Sequence, residues 1–301
     1  PGRSGLWTDC IGDGYVKNAA ELEKFKKFVN DDSVLKRLQE IKRIKKQQFA
    51  DYAFKKEGVT IDPDSIFDVQ AKRMHEYKRQ LLNAMNVISL YAELLDDPNK
   101  DIHPQTFIFG AKAASGYLRA KQFIKLICYL AEDIKKHPKI NEKLNVVYME
   151  NYNVTMAACM NPATEVSEQI SLAGKEASGT SNMKFMLNGA LTIGTLDGAN
   201  VEMSETVGDD NIFIFGLRAD EVDEVWSRGY NASLQYNQNP LIRRIVEMLL
   251  RGFNGESFSE IANSLLTGTP VADPYMCMAD FESYPKTQTK VRDLLATYNN
   301  P

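Results

Sequence analysis

The sequence is poor in the residues that build metal centres and disulfide frameworks. It contains three histidines and four cysteines in 301 residues. The cysteines are widely spaced and include no Cys-x-x-Cys pair, so neither a disulfide framework nor a zinc site is indicated. The histidines also lack metal-ligand spacing. We therefore predict that the functional site holds no metal and that the protein works in a reducing compartment.

The sequence also lacks a long hydrophobic run, a targeting signal and an excess of positive charge. No apolar stretch is long enough to span a bilayer, and residues 1–5 have no signal-peptide pattern. The formal net charge of −4 argues against a general affinity for nucleic acid or anionic membranes. We therefore predict a cytoplasmic protein that binds neither nucleic acid nor membrane.

Short apolar segments alternate with helical patterns along most of the chain. Strands are predicted at 66–69, 106–109, 146–149, 191–193 and 212–215. Helices are predicted at 20–56 with a break at 30–33, and at 76–95, 117–136, 220–228, 241–251, 258–266 and 286–298. This alternation is typical of βαβ units, so we predict an α/β fold with a mostly parallel sheet and helices on both faces.

The segment 176–184 carries the most specific chemistry, with the sequence Glu-Ala-Ser-Gly-Thr-Ser-Asn-Met-Lys. Its small and polar residues can bring several backbone N–H groups close to an anion. Lys184 can add a charge or, when deprotonated, attack an aldehyde. Because Met183, Phe185 and Leu187 flank it, we expect Lys184 to lie among apolar groups and to have a lowered pKa. The alternative is a flexible loop with Lys184 at the surface.

A second segment, 70–79, follows the first predicted strand and is strongly basic. Four of its residues carry positive charge: Lys72, Arg73, Lys78 and Arg79. Basic residues oppose the dipole at the start of a helix, so a bound anion would compensate them. The alternative is a solvated basic helix start. Because residues five or six apart face different sides of a helix, Lys72 and Arg73 should lie in a loop, with the helix beginning near His75 or Glu76.

Several long blocks resemble the α-glucan phosphorylases, the family of glycogen, starch and maltodextrin phosphorylase. The block 176–184 is similar to that family's pyridoxal-phosphate signature, and 187–202 continues the likeness. The blocks 67–83, 110–117 and 167–171 also fit and occur in the same order. The resemblance covers essentially the whole chain. It implies a Rossmann-like domain from a two-domain glycosyltransferase of the GT-B type.

The resemblance also implies that residues 1–301 form a single C-terminal cofactor-binding domain of a phosphorylase. The N-terminal half and the final C-terminal segment of the family would then be absent. Because the glucan and part of the glucose contact the N-terminal half in that family, we expect the isolated chain to bind cofactor without turning over glucan. The full-length protein is expected to be a homodimer, and the isolated chain a monomer.

The reaction implied by the resemblance is reversible phosphorolysis. Inorganic phosphate attacks the terminal α-1,4-linked glucose of a glucan and gives glucose 1-phosphate with retained configuration. The implied cofactor is pyridoxal 5′-phosphate, which acts as acid and base through its phosphate. Two phosphates in contact repel each other, which gives a purpose to the positive charges of Lys72, Arg73 and Lys78.

The resemblance assigns roles to individual residues near the cofactor. Lys184 would form the Schiff base. Gly179 and Thr180 would hold the cofactor phosphate, with Lys72 beside it. Tyr152 would lie near the cofactor.

Further residues would contact the substrates. Arg73 would bind the substrate phosphate through its bidentate guanidinium, and Lys78 would lie between the two phosphates. The glucose hydroxyls would be contacted by Glu176, Tyr77, Ser178 and Gly179.

The chain departs from the family pattern at a few positions. Ser181 stands where many members have Gly, a small change that should not disturb the anchor. Asn153 stands where many members have Arg, which predicts weaker cofactor binding or altered regulation.

Two other functions compete with a phosphorylase. One is an aminotransferase-like enzyme with the same cofactor, and the other is a cofactor-binding or subunit-interaction module without catalysis.

Overall fold

The structure, a computed structural model, describes residues 2–299 and contains a parallel β-sheet in that range. The strands are β1 Ile66–Ala71, β2 Gln105–Ala111, β3 Leu144–Glu150, β4 Val166–Gln169, β5 Leu191–Gly194 and β6 Phe213–Ile214. Their order across the sheet is β3-β2-β1-β4-β5-β6, and every neighbouring pair is parallel. The predicted α/β class and parallel sheet are confirmed, and the strand order is that of a Rossmann fold.

Helices connect the strands and extend the chain at both ends. The α-helices are α1 Arg3–Ile11, α2 Asp32–Glu57, α3 Gln80–Asp96, α4 Leu118–Lys135, α5 Pro138–Asn141, α6 Val154–Ala163, α7 Ser181–Leu187, α8 Asn200–Val207, α9 Ala219–Ser227, α10 Ala232–Gln238, α11 Pro240–Arg251, α12 Ser259–Leu266, α13 Cys277–Asp280 and α14 Ser283–Asn299. Segments of 3₁₀ helix occupy Gly14–Val16, Ala19–Phe28 and Glu76–Lys78. Within residues 2–299, no helix is long and apolar enough to cross a membrane.

The predicted break before the second N-terminal helix is confirmed. Asp31 lies just before α2, and its carboxylate accepts hydrogen bonds from the N–H groups of Ser33 and Val34 at 3.0 and 3.2 Å. This contact caps the first turn of α2. The segment Ala19–Phe28 is a 3₁₀ helix instead of the predicted α-helix.

Apolar side chains fill both faces of the sheet, as predicted. Successive residues of a strand point to opposite faces, so Phe107 and Phe109 of β2 pack with α3 and α4, whereas Ile108 packs with α2 and α6. The first cluster continues into α11, α12 and α14, and the second includes Phe185 of α7. The sheet is therefore held rigidly between two layers of helices.

The strand order places a ligand crevice between β1 and β4. From β1 the chain proceeds outward through β2 and β3, and it returns to start β4 on the other side of β1. In open α/β sheets, ligands bind outside the carboxyl ends of the strands at such a reversal. The basic segment follows β1, and the segment that ends at Lys184 follows β4. The fold therefore brings the two predicted functional segments to one edge.

Candidate active site

The basic segment leaves β1 as an irregular loop. Residues 72–75 have no helical structure, Glu76–Lys78 forms one 3₁₀ turn, and α3 begins at Gln80. The predicted loop position of Lys72 and Arg73 is confirmed. The predicted helix start near His75 or Glu76 agrees with the 3₁₀ turn that begins at Glu76, but the regular α-helix begins only at Gln80. The physical reason is Arg79, whose left-handed backbone (φ 56°) separates the 3₁₀ turn from the α-helix.

The four positive charges of this segment do not form one cluster. Arg79 is completely buried, and its guanidinium donates to Asp280 at 2.6 Å and to the carbonyl oxygen of Ile170 at 2.7 Å. The interpretation of all four charges as one anion site is therefore wrong. The left-handed turn directs Arg79 into the protein. The candidate anion site then contains the other three positive charges, those of Lys72, Arg73 and Lys78.

Lys184 lies on the exposed side of α7. Its side chain is exposed, as are Met183 at 41% and Leu187 at 65%, whereas Phe185 is only 1% exposed. The prediction that Lys184 lies among apolar groups is wrong. Consecutive residues of a helix point in different directions, so only part of the apolar run faces the sheet. The Lys184 side chain is therefore accessible to solvent.

Two contacts join the basic loop to the segment that contains Lys184. The ammonium of Lys78 lies 2.5 Å from a carboxylate oxygen of Glu176. The ammonium of Lys72 donates to the hydroxyl of Ser181, the first residue of α7, at 3.2 Å. Residues 109 positions apart in sequence thus meet at the switch between β1 and β4. Ser181 supplies the acceptor of this hydrogen bond. The sequence analysis predicted only a neutral replacement of glycine at this position.

The two lysines differ in electrostatic environment. Burial and the charge of Lys78 lower the pKa of Lys72, Glu176 and Asp197 oppose the shift, and the net result is a pKa of about 8. Burial would also lower the pKa of Lys78, but its hydrogen bonds to Glu176 and Tyr77 raise that pKa above the ordinary value. Lys78 consequently stays charged, whereas Lys72 can lose its proton in mildly alkaline solution.

The other predicted residues lie at or near the same edge. Arg73, Ser178 and Thr180 are exposed. Gly179 has a positive φ of 80°, a conformation that L side chains rarely adopt, so the turn before α7 favours glycine there.

Tyr77 and Tyr152 are partly buried. The Tyr77 ring lies under the ammonium of Lys78, with 4.5 Å between the nitrogen and the ring centroid. The Tyr152 ring packs against Gly110 at the end of β2, where an added Cβ would come within 3.2 Å of Cδ2. The neighbouring Asn153 caps α6, because its side chain accepts from the N–H of Met156 at 3.1 Å.

Asp197 is a site residue to which the sequence analysis gave no role. It is 5% exposed and lies in the turn after β5. Its carboxylate accepts hydrogen bonds from the N–H groups of Gly174 and Glu176, both at 2.9 Å. The only signal in the sequence is the Asp-Gly pair at 197–198, which is typical of a turn and does not reveal these distant partners.

These residues fit an anionic aldehyde. Residues 2–299 contain no group of three or more His, Cys, Asp or Glu side chains that could hold a metal ion. The donor set is instead an exposed primary amine on Lys184, a glycine turn at Gly179 and the ammonium of Lys72 beside Ser181. An aldehyde can react with the amine, and a phosphate can be bound by the turn and the ammonium.

Comparison with known proteins gives an independent line of information. A family model described as "Carbohydrate phosphorylase" matches residues 1–300. The chain is 45% identical to "Glycogen phosphorylase, muscle form" of Oryctolagus cuniculus, over all of this chain and 35% of that protein. It is 44% identical to "Glycogen phosphorylase, liver form" of Homo sapiens with the same coverage. The chain thus spans about a third of the length of these relatives.

Proposed function

Because this chain belongs to the carbohydrate phosphorylase family, we propose that the protein containing it catalyses reversible phosphorolysis of α-1,4-glucan to glucose 1-phosphate. The observation that carries the proposal is the hydrogen bond from Lys72 to Ser181 at 3.2 Å. It connects the cationic loop after β1 to the first residue of the helix that bears Lys184. We infer that this positive charge and the Lys184 amine share the crevice where a Rossmann sheet binds its ligands.

The proposed cofactor is pyridoxal 5′-phosphate, attached to Lys184. The exposed amine supports this assignment, because an aldehyde can reach it without rearrangement of α7. Gly179, Thr180 and Lys72 would hold the cofactor phosphate, with Tyr152 near the ring. When bound, the cofactor supplies a phosphate that can donate and accept a proton beside the substrate phosphate. The protein's task is then to hold Lys72 charged and close to the two anions.

Arg73 and Lys78 are the proposed ligands of the substrate phosphate. Arg73 is exposed, so its guanidinium fork is available for a bidentate contact. Lys78 is held by Glu176 in this structure. An arriving phosphate would compete with Glu176 for Lys78, and Glu176 would then be free to accept a hydrogen bond from a glucose hydroxyl. Ser178, Gly179 and Tyr77 would supply the remaining glucose contacts.

The larger assembly is part of the same proposal. Residues 1–301 would form one cofactor-binding domain, and the remaining two thirds of the length of its relatives would supply the glucan site. We expect that the isolated chain binds the cofactor and releases no glucose 1-phosphate. The complete protein is proposed to be a cytoplasmic homodimer, and the isolated chain a monomer.

Borohydride reduction followed by peptide mapping tests the cofactor site. Pyridoxal phosphate is added to the complete protein, the adduct is reduced, and the labelled peptide is identified by mass spectrometry. The expected label is on Lys184, and the Lys184→Arg variant should carry none there. A label on another lysine alone would contradict the assignment.

The reaction itself is tested by incubating the complete, cofactor-loaded protein with glycogen or maltodextrin and inorganic phosphate. Release of glucose 1-phosphate is the expected result. A cofactor spectrum typical of transamination after addition of an amino acid, without glucose 1-phosphate release, would favour the aminotransferase alternative instead.

A further inference from the structure

Asp197 is a buried carboxylate that organises the turn between β4 and α7. Oδ1 accepts the N–H of Gly174 at 2.9 Å. Oδ2 accepts the N–H of Glu176 at 2.9 Å and the hydroxyl of Ser171 at 2.7 Å. One side chain thus binds three donors that all belong to the residues 171–176. The turn that contains Glu176 therefore depends on the carboxylate of Asp197, which lies after β5 and not after β4.

The backbone beside Asp197 is packed against the same segment. Gly198 has a positive φ of 54°, and an added Cβ would lie 2.5 Å from the carbonyl oxygen of Ser178. The N–H of Ala199 donates to that carbonyl oxygen at 2.8 Å. The turn after β5 is consequently locked to residues 171–178, and Glu176 is held at the point where it contacts Lys78.

Asp197 also belongs to the electrostatic environment of Lys72. The charged groups that influence Lys72 are Lys78, which lowers its pKa, and Glu176 and Asp197, which raise it. Burial is the largest influence, and all of these influences together lower the pKa to about 8. Removal of one of the two negative charges therefore has a predictable direction: the pKa of Lys72 falls further.

We propose that Asp197 is a positioning residue for the phosphorylase reaction, because its carboxylate fixes the backbone of Glu176 beside Lys78 through the N–H groups of Gly174 and Glu176. The inference rests on the proposed function. Asp197 contacts no reacting atom in this arrangement and acts through Glu176 and Lys72. A purely structural turn would need the hydrogen bonds of Asp197, whereas the positioning role also needs its negative charge.

The test compares two substitutions of Asp197 in the complete protein. Asp197→Asn keeps the size of the side chain but removes the charge and places an amide NH₂ among N–H donors. Asp197→Glu keeps the charge but moves it by one methylene. We expect kcat to fall by about 100-fold in both variants, because a displacement of about 1 Å in a catalytic site has that effect. Ser171→Ala, which removes only one of the three hydrogen bonds, should lower kcat by about fivefold.

A second experiment tests the negative charge of Asp197. Pyridoxal phosphate is bound to the apoprotein at a series of pH values from about 6.5 to 9.5, and binding is measured by absorbance. Affinity should fall on the alkaline side as Lys72 loses its proton. In Asp197→Asn the midpoint of that fall should shift to lower pH, whereas in Asp197→Glu and Ser171→Ala it should stay at the value of the unmodified protein. Thermal unfolding of each variant verifies that it is folded.

The outcomes separate this inference from the proposed function. If the unmodified protein neither binds the cofactor nor releases glucose 1-phosphate, the proposed function fails. If it does both, and a folded Asp197→Asn variant has unchanged kcat and an unchanged midpoint, only the inference about Asp197 fails. If Asp197→Asn does not fold, Asp197→Glu decides: unchanged kcat overturns the inference, as does a loss of kcat that is accompanied by a lower thermal stability. A loss of about 100-fold at unchanged thermal stability and unchanged midpoint supports it.

Discussion

The guanidinium of Arg79 lies 2.6 Å from a carboxylate oxygen of Asp280, and both side chains are almost completely buried. Arg79 also donates to the carbonyl oxygen of Ile170, just after β4. The other oxygen of Asp280 accepts the N–H of Leu217 at 2.9 Å, after β6. This ion pair joins the basic loop, the end of β4 and the C-terminal helices, and it fixes the left-handed turn next to Lys78.

Removal of Asp280 should be strongly destabilising. Asp280→Ala leaves the charge of Arg79 buried without its carboxylate partner, and breaking such a pair costs about 3–5 kcal/mol. The free energy of unfolding, measured by urea denaturation, should fall by that amount. The matched control is Asp220→Ala, which breaks an exposed ion pair with Arg218 and should cause no comparable loss. Equal losses in the two variants would contradict the role given to the Arg79–Asp280 pair.

Much of the fold was predictable from the sequence because its strands are short apolar runs. β1, β2 and β3 were found with their ends correct to within two residues, since each contains a cluster of apolar residues. β4 was missed because its sequence, Val-Ser-Glu-Gln, is polar, although every residue of it is buried. Its polar side chains are satisfied by distant groups; Tyr284 and Gln288 of α14 both donate to Glu168. The residues near β4 in the sequence do not indicate these distant partners.

The sequence indicated candidate residues for the site, but it did not indicate which of them contact each other. The motifs selected Lys72, Lys78, Glu176 and Lys184, and the segments that contain these residues meet at one edge of the sheet. The pairing of Lys78 with Glu176 and the exposure of Lys184 depend on the direction of each side chain, which the three-dimensional arrangement of β1, β4 and α7 determines. Arg79 was misassigned for the same reason, since charge alone does not show whether a side chain points into the site or into the core.

A buried pair of carboxyl groups should make stability depend on pH. Asp68 and Glu168 lie on the adjacent strands β1 and β4 and are almost inaccessible to solvent. Burial raises the pKa of both, that of Asp68 to about 7. The folded protein therefore retains a proton that unfolded chains release near pH 4. The stabilisation linked to this proton is complete below about pH 4 and is lost as the pH rises through about 7.

The variant Asp68→Asn removes this requirement for a proton. Its free energy of unfolding relative to that of the unmodified protein should increase steadily from pH 5 to pH 8. Urea denaturation at four pH values in this range measures the difference. Glu205→Gln, at an exposed position of α8, is the control and should leave the pH dependence unchanged. Parallel pH profiles for Asp68→Asn and the unmodified protein would show that Asp68 does not retain a proton in the folded state.

Lys42 should anchor the helix that bears Lys184. Its ammonium donates to the carbonyl oxygens of Pro162, Thr164 and Asn188 at 3.0, 2.6 and 3.2 Å. Asn188 follows α7 directly, so the contact ties the end of that helix to α2. Lys42→Met would remove the donor from all three carbonyl groups and should cost about 3 kcal/mol. Lys45→Met, three residues later, would remove only a hydrogen bond to the side chain of the exposed Gln48 and should cost far less; similar losses in denaturant unfolding would refute the anchor.

Arg73 should determine the affinity for inorganic phosphate. Its guanidinium is exposed at the carboxyl edge of the sheet, and the proposed function gives it a bidentate contact with the substrate phosphate. Arg73→Lys keeps the charge but loses the planar fork. In the complete protein the KM for phosphate should rise by about tenfold or more, corresponding to about 1.5 kcal/mol for one charge-assisted hydrogen bond, whereas the KM for glucan should change little. Arg119→Lys is the matched control, since Arg119 lies on α4 and donates to Gln122, and it should leave both constants unchanged. An unchanged KM for phosphate in Arg73→Lys would remove Arg73 from the phosphate site.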